Sequence, residues 1–302
     1  MSKRAVLYND KEVFIPLYMP LSAIRVPEST TPVWAIKGLL NYEIKSELLK
    51  LLQNMPMNIY TRADSGNKLS LEHKSGSGKL LFKNSVCQKL AQILTDPYFV
   101  DLMSDLLTES NSKFRVMTND RNQRLKPLAF QKLWKNSSFN NKAALSWDLN
   151  LHDINIEPRR LVKHYTDAFN CIPFMPRMQF SIMQYGTFIP PHTDVSNKIA
   201  TLMIYLPTSV NQSKTYLGTT FWNLKNNSRV KISQSESKFL NHHELVLFKE
   251  NYTPVRTLFQ DTSCILFFRS DDSWHSFEHD ISGQAERYSI NINFLYPVSR
   301  DT

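Results

Sequence analysis

Three residues of this chain have the types and spacing to hold a redox metal: His192, Asp194 and, far along the chain, His275. Two neutral imidazoles and one carboxylate can take three positions on one side of an octahedral iron. The opposite positions stay open for substrate and oxygen, the arrangement of a 2-His-1-carboxylate facial triad. In extended backbone, residues i and i+2 point the same way. His192 and Asp194, flanking Thr193, can therefore reach one ion together. His275 must arrive from another strand laid alongside. A histidine-x-aspartate tripeptide is short, and its surroundings give it weight.

Those surroundings are strands in the second half of the chain. From residue 177 onward, short β-rich runs alternate with turn residues: MQFSIMQY, ATLMIYLP, TTFWNL, ELVLF, SCILFF and RYSININFLY. In the last run, alternation sets Arg287, Ser289, Asn291 and Asn293 on one face and Tyr288, Ile290, Ile292 and Phe294 on the other. Thr201, Met203 and Tyr205 likewise share a face. The first half reads differently. Glu12 to Tyr18 suits an edge strand, with Pro16 keeping it off a sheet centre. Tyr42 to Gln53 has helical periodicity, as do residues 84–110, and Arg159 to Phe169 suits one more helix. Residues 61–79 are rich in Gly, Ser and Lys and read as a surface loop.

Composition narrows the class. The chain has 302 residues, of which 42% are hydrophobic and 12% aromatic, enough for a sizeable core and too aromatic for a disordered chain. The net charge of +9 favours an anionic ligand, but basic residues are spread along the chain, so no nucleic-acid tail is expected. Cys87, Cys171 and Cys264 are odd in number and contain no C-x-x-C, against a disulfide framework or a structural zinc site. We read no signal peptide and no apolar run of membrane-spanning length. A cytoplasmic, reducing setting is expected. With seven glycines and no G-x-G-x-x-G, a glycine-rich phosphate loop is not expected either.

In order and spacing, these elements resemble the iron(II)- and 2-oxoglutarate-dependent dioxygenase superfamily, in its prolyl-hydroxylase-like branch. The residues that carry the resemblance are Gln184-Tyr185-Gly186 closing a strand, Pro191-His192-Thr193-Asp194, Thr201 through Leu206, Gly218-Thr219-Thr220-Phe221, His275, and Arg287 through Asn291. It covers about residues 177–296. Two features depart from the common pattern. Leu217 stands where a second glycine is frequent, and Arg287 stands where many collagen-type members have lysine.

The resemblance implies an α+β protein with a double-stranded β-helix (jelly-roll) core and supporting helices from the N-terminal half. It would be a single domain, with residues 1–176 a mostly helical support region and 177–302 the catalytic core. His192, Asp194 and His275 would bind Fe(II), with 2-oxoglutarate and O2 as co-substrates. Arg287 would fork onto the far carboxylate of 2-oxoglutarate, with Tyr205, Tyr185 and Ser289 as hydroxyl contacts. Because Asp194 is present, hydroxylation is expected and halogenation is not. The expected substrate is a small or medium metabolite, an anionic one by charge, with a peptidyl or protein prolyl-type substrate as the alternative.

Other readings stay open from sequence. A jelly-roll binding module without catalysis is opposed by the complete triad together with Arg287. A zinc hydrolase is opposed by the strand carrying Arg287 and the lack of H-E-x-x-H. His279 competes with His275 for the third ligand position, and His275 is preferred for its interval to Arg287. His73, His152, His164 and the adjacent pair His242-His243 read as structural or exposed.

Overall fold

A computed structural model describes residues 3–8, 11–16, 21–57, 60–62, 68–72, 84–110, 123–127, 167, 170–208, 217–228, 230, 232, 239–257, 263–278 and 286–297. Before the core come strands β1 (Lys3–Tyr8), β2 (Lys11–Pro16), β3 (Ser22–Arg25), β4 (Val33–Lys37), β5 (Thr61–Arg62), β6 (Lys68–Glu72) and β7 (Arg124–Pro127). Helices α1 (Tyr42–Gln53), α2 (Ser85–Thr95) and α3 (Pro97–Glu109) lie among them. The core strands are β8 (Cys171–Met183), β9 (Phe188–His192), β10 (Lys198–Leu206), β11 (Thr220–Leu224), β12 (Tyr252–Arg256), β13 (Ser263–Phe268), β14 (His275–Glu278) and β15 (Arg287–Leu295), with helix α4 (His242–Asn251) before β12.

The eight core strands divide between two sheets. The larger runs β3-β4-β13-β10-β15-β8-β6-β5, with β7 parallel to β8, and the smaller runs β12-β11-β14-β9. Successive core strands cross repeatedly from one sheet to the other, and they pair with one another antiparallel. This is a double-stranded β-helix. β1 and β2 form a separate two-stranded sheet.

The outer face of the larger sheet explains the helices. Leu48 and Leu52 of α1, Leu90 and Leu94 of α2, and Phe99 and Met103 of α3 form one buried cluster with Leu202, Ile204, Ile290 and Ile292. Each apolar helix stripe covers the alternate residues that the strands turn outward. A fully buried Leu contributes about 2 kcal/mol by leaving water, so this layer holds the sheet's outer face dry. The strands' other alternate residues are left to line the interior. Asn41, Asn84 and Asp96 cap the three helices by accepting from the backbone N–H of Ile44, Val86 and Tyr98.

Several local expectations change. ELVLF is not a strand but the middle of α4: Asn241 and Glu244 form a reciprocal capping box that starts a helix there. Residues 61–79 are not wholly loop, because β5 and β6 extend the larger sheet beyond β8. The N-terminal half is not simply helical support, since β3 to β6 all join that sheet. Asp96 and Pro97 divide residues 84–110 into two helices, with Pro at the start of the second. The helix expected over Arg159 to Phe169 lies almost wholly outside the described residues.

Gly218 is required by close approach. A Cβ there would lie 2.2 Å from the carbonyl oxygen of Thr257, a backbone atom with little freedom to retreat. Gly218→Ala is expected to destabilise the protein by about 1–3 kcal/mol through overpacking, read as a lower midpoint in urea unfolding.

Candidate metal centre and cavity

The two histidines meet because their strands pair. β9 and β14 are antiparallel neighbours in the smaller sheet, and His192 stands directly opposite His275. Their ring centroids are 4.3 Å apart. Asp194 follows β9 by two residues. One ligand atom from each of His192, Asp194 and His275 falls within 4.8 Å of the others, and His275 Nε2 lies 3.8 Å from Asp194 Oδ1.

The donor set fits a divalent metal. His192 Nδ1 donates to the carbonyl of Pro190 and His275 Nδ1 to the carbonyl of Ser273, each at 2.9 Å. A carbonyl only accepts, so both Nδ1 atoms carry hydrogen and both Nε2 atoms keep a lone pair for a metal. Asp194 is buried and doubly held. Thr201 donates to its Oδ2 at 2.9 Å, and Lys198 pairs with its Oδ1 at 2.5 Å. Arg269 Nε donates to the Asp194 backbone carbonyl at 3.1 Å, which fixes the chain at that point.

Electrostatics favour the metal-ready protonation states. Burial pushes His192 down to about 3, with His275 adding to the fall and Asp194 opposing it. Burial also lowers His275, again against the pull of Asp194. For Asp194, burial would raise the carboxyl, but Lys198 and the two imidazoles outweigh it and hold it well below the usual range. Neutral imidazoles and an ionised carboxylate are the forms that coordinate.

The triad opens into a cavity of about 300 Å³. Its wall includes Thr201, Met203, Phe267, Phe277, Asn291 and Asn293, with Lys68, Lys198 and Arg287 as its basic groups. Phe239, about half exposed, packs edge-on to His192 with ring centroids 5.4 Å apart. Arg287 is fully buried and its guanidinium lies over the rings of Phe277 at 4.3 Å and Tyr205 at 5.0 Å. Burial pulls its pKa down to about 10, opposed by Tyr205, so it stays charged at neutral pH.

The sheet register sets these residues in cross-strand rows. Arg287 sits opposite Met183, Ser289 lies between Ser181 and Tyr205, and Asn293 lies opposite Thr201. Thr201 and Tyr205 are four residues apart on β10. The Ser289 row and the Thr201 row that holds Asp194 are therefore separated by about 13 Å of strand, at 3.3 Å per residue, and Arg287 lies two residues beyond Ser289. The buried oxygens Ser181 Oγ, Ser289 Oγ, Asn291 Oδ1 and Asn293 Oδ1 have no hydrogen-bond partner among the described residues. Buried polar atoms are normally satisfied, so such a row marks a place for a polar ligand or water.

The sequence-derived candidates are placed as follows. His192, Asp194, His275 and Arg287 all line the cavity. Ser289 lies on the same inward face and is fully buried. Tyr205 is also fully buried, but its hydroxyl donates to Thr219 Oγ1 and accepts from the Thr219 N–H, both at 2.9 Å. Thr219 reaches the cavity in its place. Tyr185 faces outward: it is half exposed in the Gln184–Thr187 turn, where Gly186 takes φ 76°. Tyr185 is not among the residues that line the cavity. His242 and His243 are exposed on the first turn of α4. His73, His152, His164 and His279 lie outside the described residues. Sequence reasoning missed Lys198, Lys68, Gln179 and Phe239 as cavity residues. Lys198, four positions after Asp194 at the head of a strand, carried a local signal.

No family model matches this sequence, and no curated protein is similar to it in sequence. Among solved structures, the chain is similar to a prolyl-4-hydroxylase of Pseudomonas putida, at 10% identity and TM-score 0.42, over 88% of this chain and 93% of that one. It is also similar to a 2OG-Fe(II) oxygenase family oxidoreductase of Burkholderia pseudomallei, at 9% and 0.44, over 90% and 86%. A third is HygX of Streptomyces hygroscopicus with nickel and 2-oxoglutarate bound, at 9% and 0.39, over 88% and 83%. At these values the functional reading rests on the site's own geometry.

Proposed function

We propose that this protein is an iron(II)- and 2-oxoglutarate-dependent dioxygenase that hydroxylates an unactivated C–H bond of a small or medium metabolite. One observation carries the reading. Two tautomer-fixed imidazoles and a buried carboxylate converge at one end of a cavity that has a buried guanidinium on its wall.

His192, Asp194 and His275 would hold the iron. The chemistry supplied by iron with its co-substrates is C–H oxidation by O2, coupled to conversion of 2-oxoglutarate to succinate and carbon dioxide. The chain's own residues prepare the place. Pro190 and Ser273 orient the imidazoles through their carbonyls, and Thr201 orients the carboxylate. Arg287 would donate two parallel hydrogen bonds to the far carboxylate of 2-oxoglutarate. Ser289 and Ser181 add hydroxyls in the adjoining row, and Tyr205 positions Thr219. Ile189, Met203, Phe267 and Phe277 keep the space apolar, where charge interactions are strong.

A site with three basic groups and one carboxylate suits a dianionic co-substrate. The cavity, about 300 Å³ among the described residues, has room for a small ligand group beside the triad. The buried, unbridged thiols of Cys87 and Cys264 support the cytoplasmic setting we assign. Among the described residues, no helix is long and apolar enough to cross a membrane.

Anaerobic addition of Fe(II) and then 2-oxoglutarate is expected to produce a visible charge-transfer absorption. Fe(II) bound in stoichiometric amount with no such band on adding 2-oxoglutarate would overturn the assignment.

A further inference from the structure

Both carboxylate oxygens of Asp194 are engaged by side chains, and the two engagements differ in kind. Thr201 gives Oδ2 a short neutral donor at 2.9 Å. Lys198 gives Oδ1 a full positive charge at 2.5 Å. Oδ1 also lies 3.8 Å from His275 Nε2. A metal shared by His275 and Asp194 would therefore bind the atom on which the ammonium already sits.

The lysine side chain is only 14% exposed and lines the same cavity. Two cations on one oxygen would repel strongly there, because a partly buried pair is poorly screened by salt. The backbone of Lys198 is fixed, since its N–H donates to the Val195 carbonyl at 3.1 Å as β10 begins. Its four-carbon stem is flexible, so the ammonium can turn aside while the strand stays in place. Thr201 has no charge and need not move.

We propose that Lys198 is the metal's competitor for Asp194: it holds the carboxylate in the metal-free protein, lowers the metal affinity of the site, and turns its ammonium into the cavity when a metal takes Oδ1. This rests on the metal-site reading above. The exchange keeps a counter-charge on the buried carboxylate in both states. It also leaves a cation in the cavity, where an anionic ligand group would meet it.

The test is Mn(II) binding by calorimetry, with thermal melts, on the full chain and on Lys198→Met, Lys198→Gln and Lys198→Arg. Lys198→Met is expected to melt lower without metal, because the carboxylate loses its partner. It is also expected to bind Mn(II) about tenfold tighter, the low end of what residues around a metal shell contribute. Its Mn(II)-induced rise in melting temperature should then exceed that of the wild type. Lys198→Arg, which keeps the charge, should stay close to wild type. Lys198→Gln should follow Lys198→Met and replaces it if the methionine variant does not fold. A lysine that only orients Asp194 would give the opposite sign, with weaker Mn(II) binding on its removal. Weaker or unchanged affinity in the neutral variants overturns the proposal. A wild-type protein that takes up no Mn(II) overturns the metal reading itself, a separate result.

Discussion

Asp194→Ala is expected to remove metal binding and to reduce succinate formation to background, a loss of at least about a thousandfold, or ~4 kcal/mol of transition-state stabilisation. The carboxylate is the only anionic group among the three candidate ligands, and it is the one buried with a charged neighbour. The variant should also lose stability without metal. Lys198 would be left in a mostly enclosed position with no carboxylate, and breaking a buried ion pair from one side costs about 3–5 kcal/mol. Lys198 retains some contact with water, so the lower end applies. Asp194→Asn keeps the side-chain shape and an acceptor for Thr201 while removing the charge. It should therefore lose the metal too, and it still leaves Lys198 without a charged partner, so it is also expected to lose stability. Equilibrium dialysis with Mn(II) and urea unfolding separate the two effects. Stoichiometric metal retained by Asp194→Ala would end the assignment of this residue as a ligand.

Arg287→Met is expected to weaken 2-oxoglutarate binding by about a hundredfold while leaving Mn(II) affinity nearly unchanged. Truncating one partner of a buried charge pair costs about 2–5 kcal/mol, and the co-substrate's far carboxylate would be the partner lost. The selectivity follows from distance along the strands, since the arginine row lies toward the opposite end of β10 from Thr201, which holds Asp194. Methionine is the informative replacement because it fills space between Tyr205 and Phe277 without a charge. Arg287→Lys should fall between the two, since an ammonium offers a point charge and not a planar fork. Calorimetric titration of 2-oxoglutarate into the Mn(II)-loaded protein reads the effect directly. Equal 2-oxoglutarate affinity in Arg287→Met and wild type would remove this residue from the co-substrate site.

The misreadings have physical causes. ELVLF has strand-like composition, but the capping box of Asn241 and Glu244 decides for helix, and one exposed face of α4 tolerates Val246. Residues 61–79 look polar enough for a loop. Yet Ser70 and Leu71 are buried, because β6 lies against β8 and extends the sheet there. Tyr185 precedes His192 closely in sequence, but it stands half exposed in a turn and does not line the cavity. Tyr205 points inward as its strand alternation demands, and its hydroxyl is then taken by Thr219.

What the amino-acid order determined by itself is everything governed by near neighbours. The period of two set Arg287, Ser289, Asn291 and Asn293 on one face. The i, i+2 spacing joined His192 to Asp194, and the helical stripe of α1 was readable from its own residues. Only the tertiary structure decided which distant pieces face one another: His192 opposite His275 across β9 and β14, Lys198 on the carboxylate of Asp194, and Thr219 on the hydroxyl of Tyr205. The reason is physical. Alternation is a property of one strand's backbone, whereas register and side-chain partnership depend on how two sheets close around a shared interior.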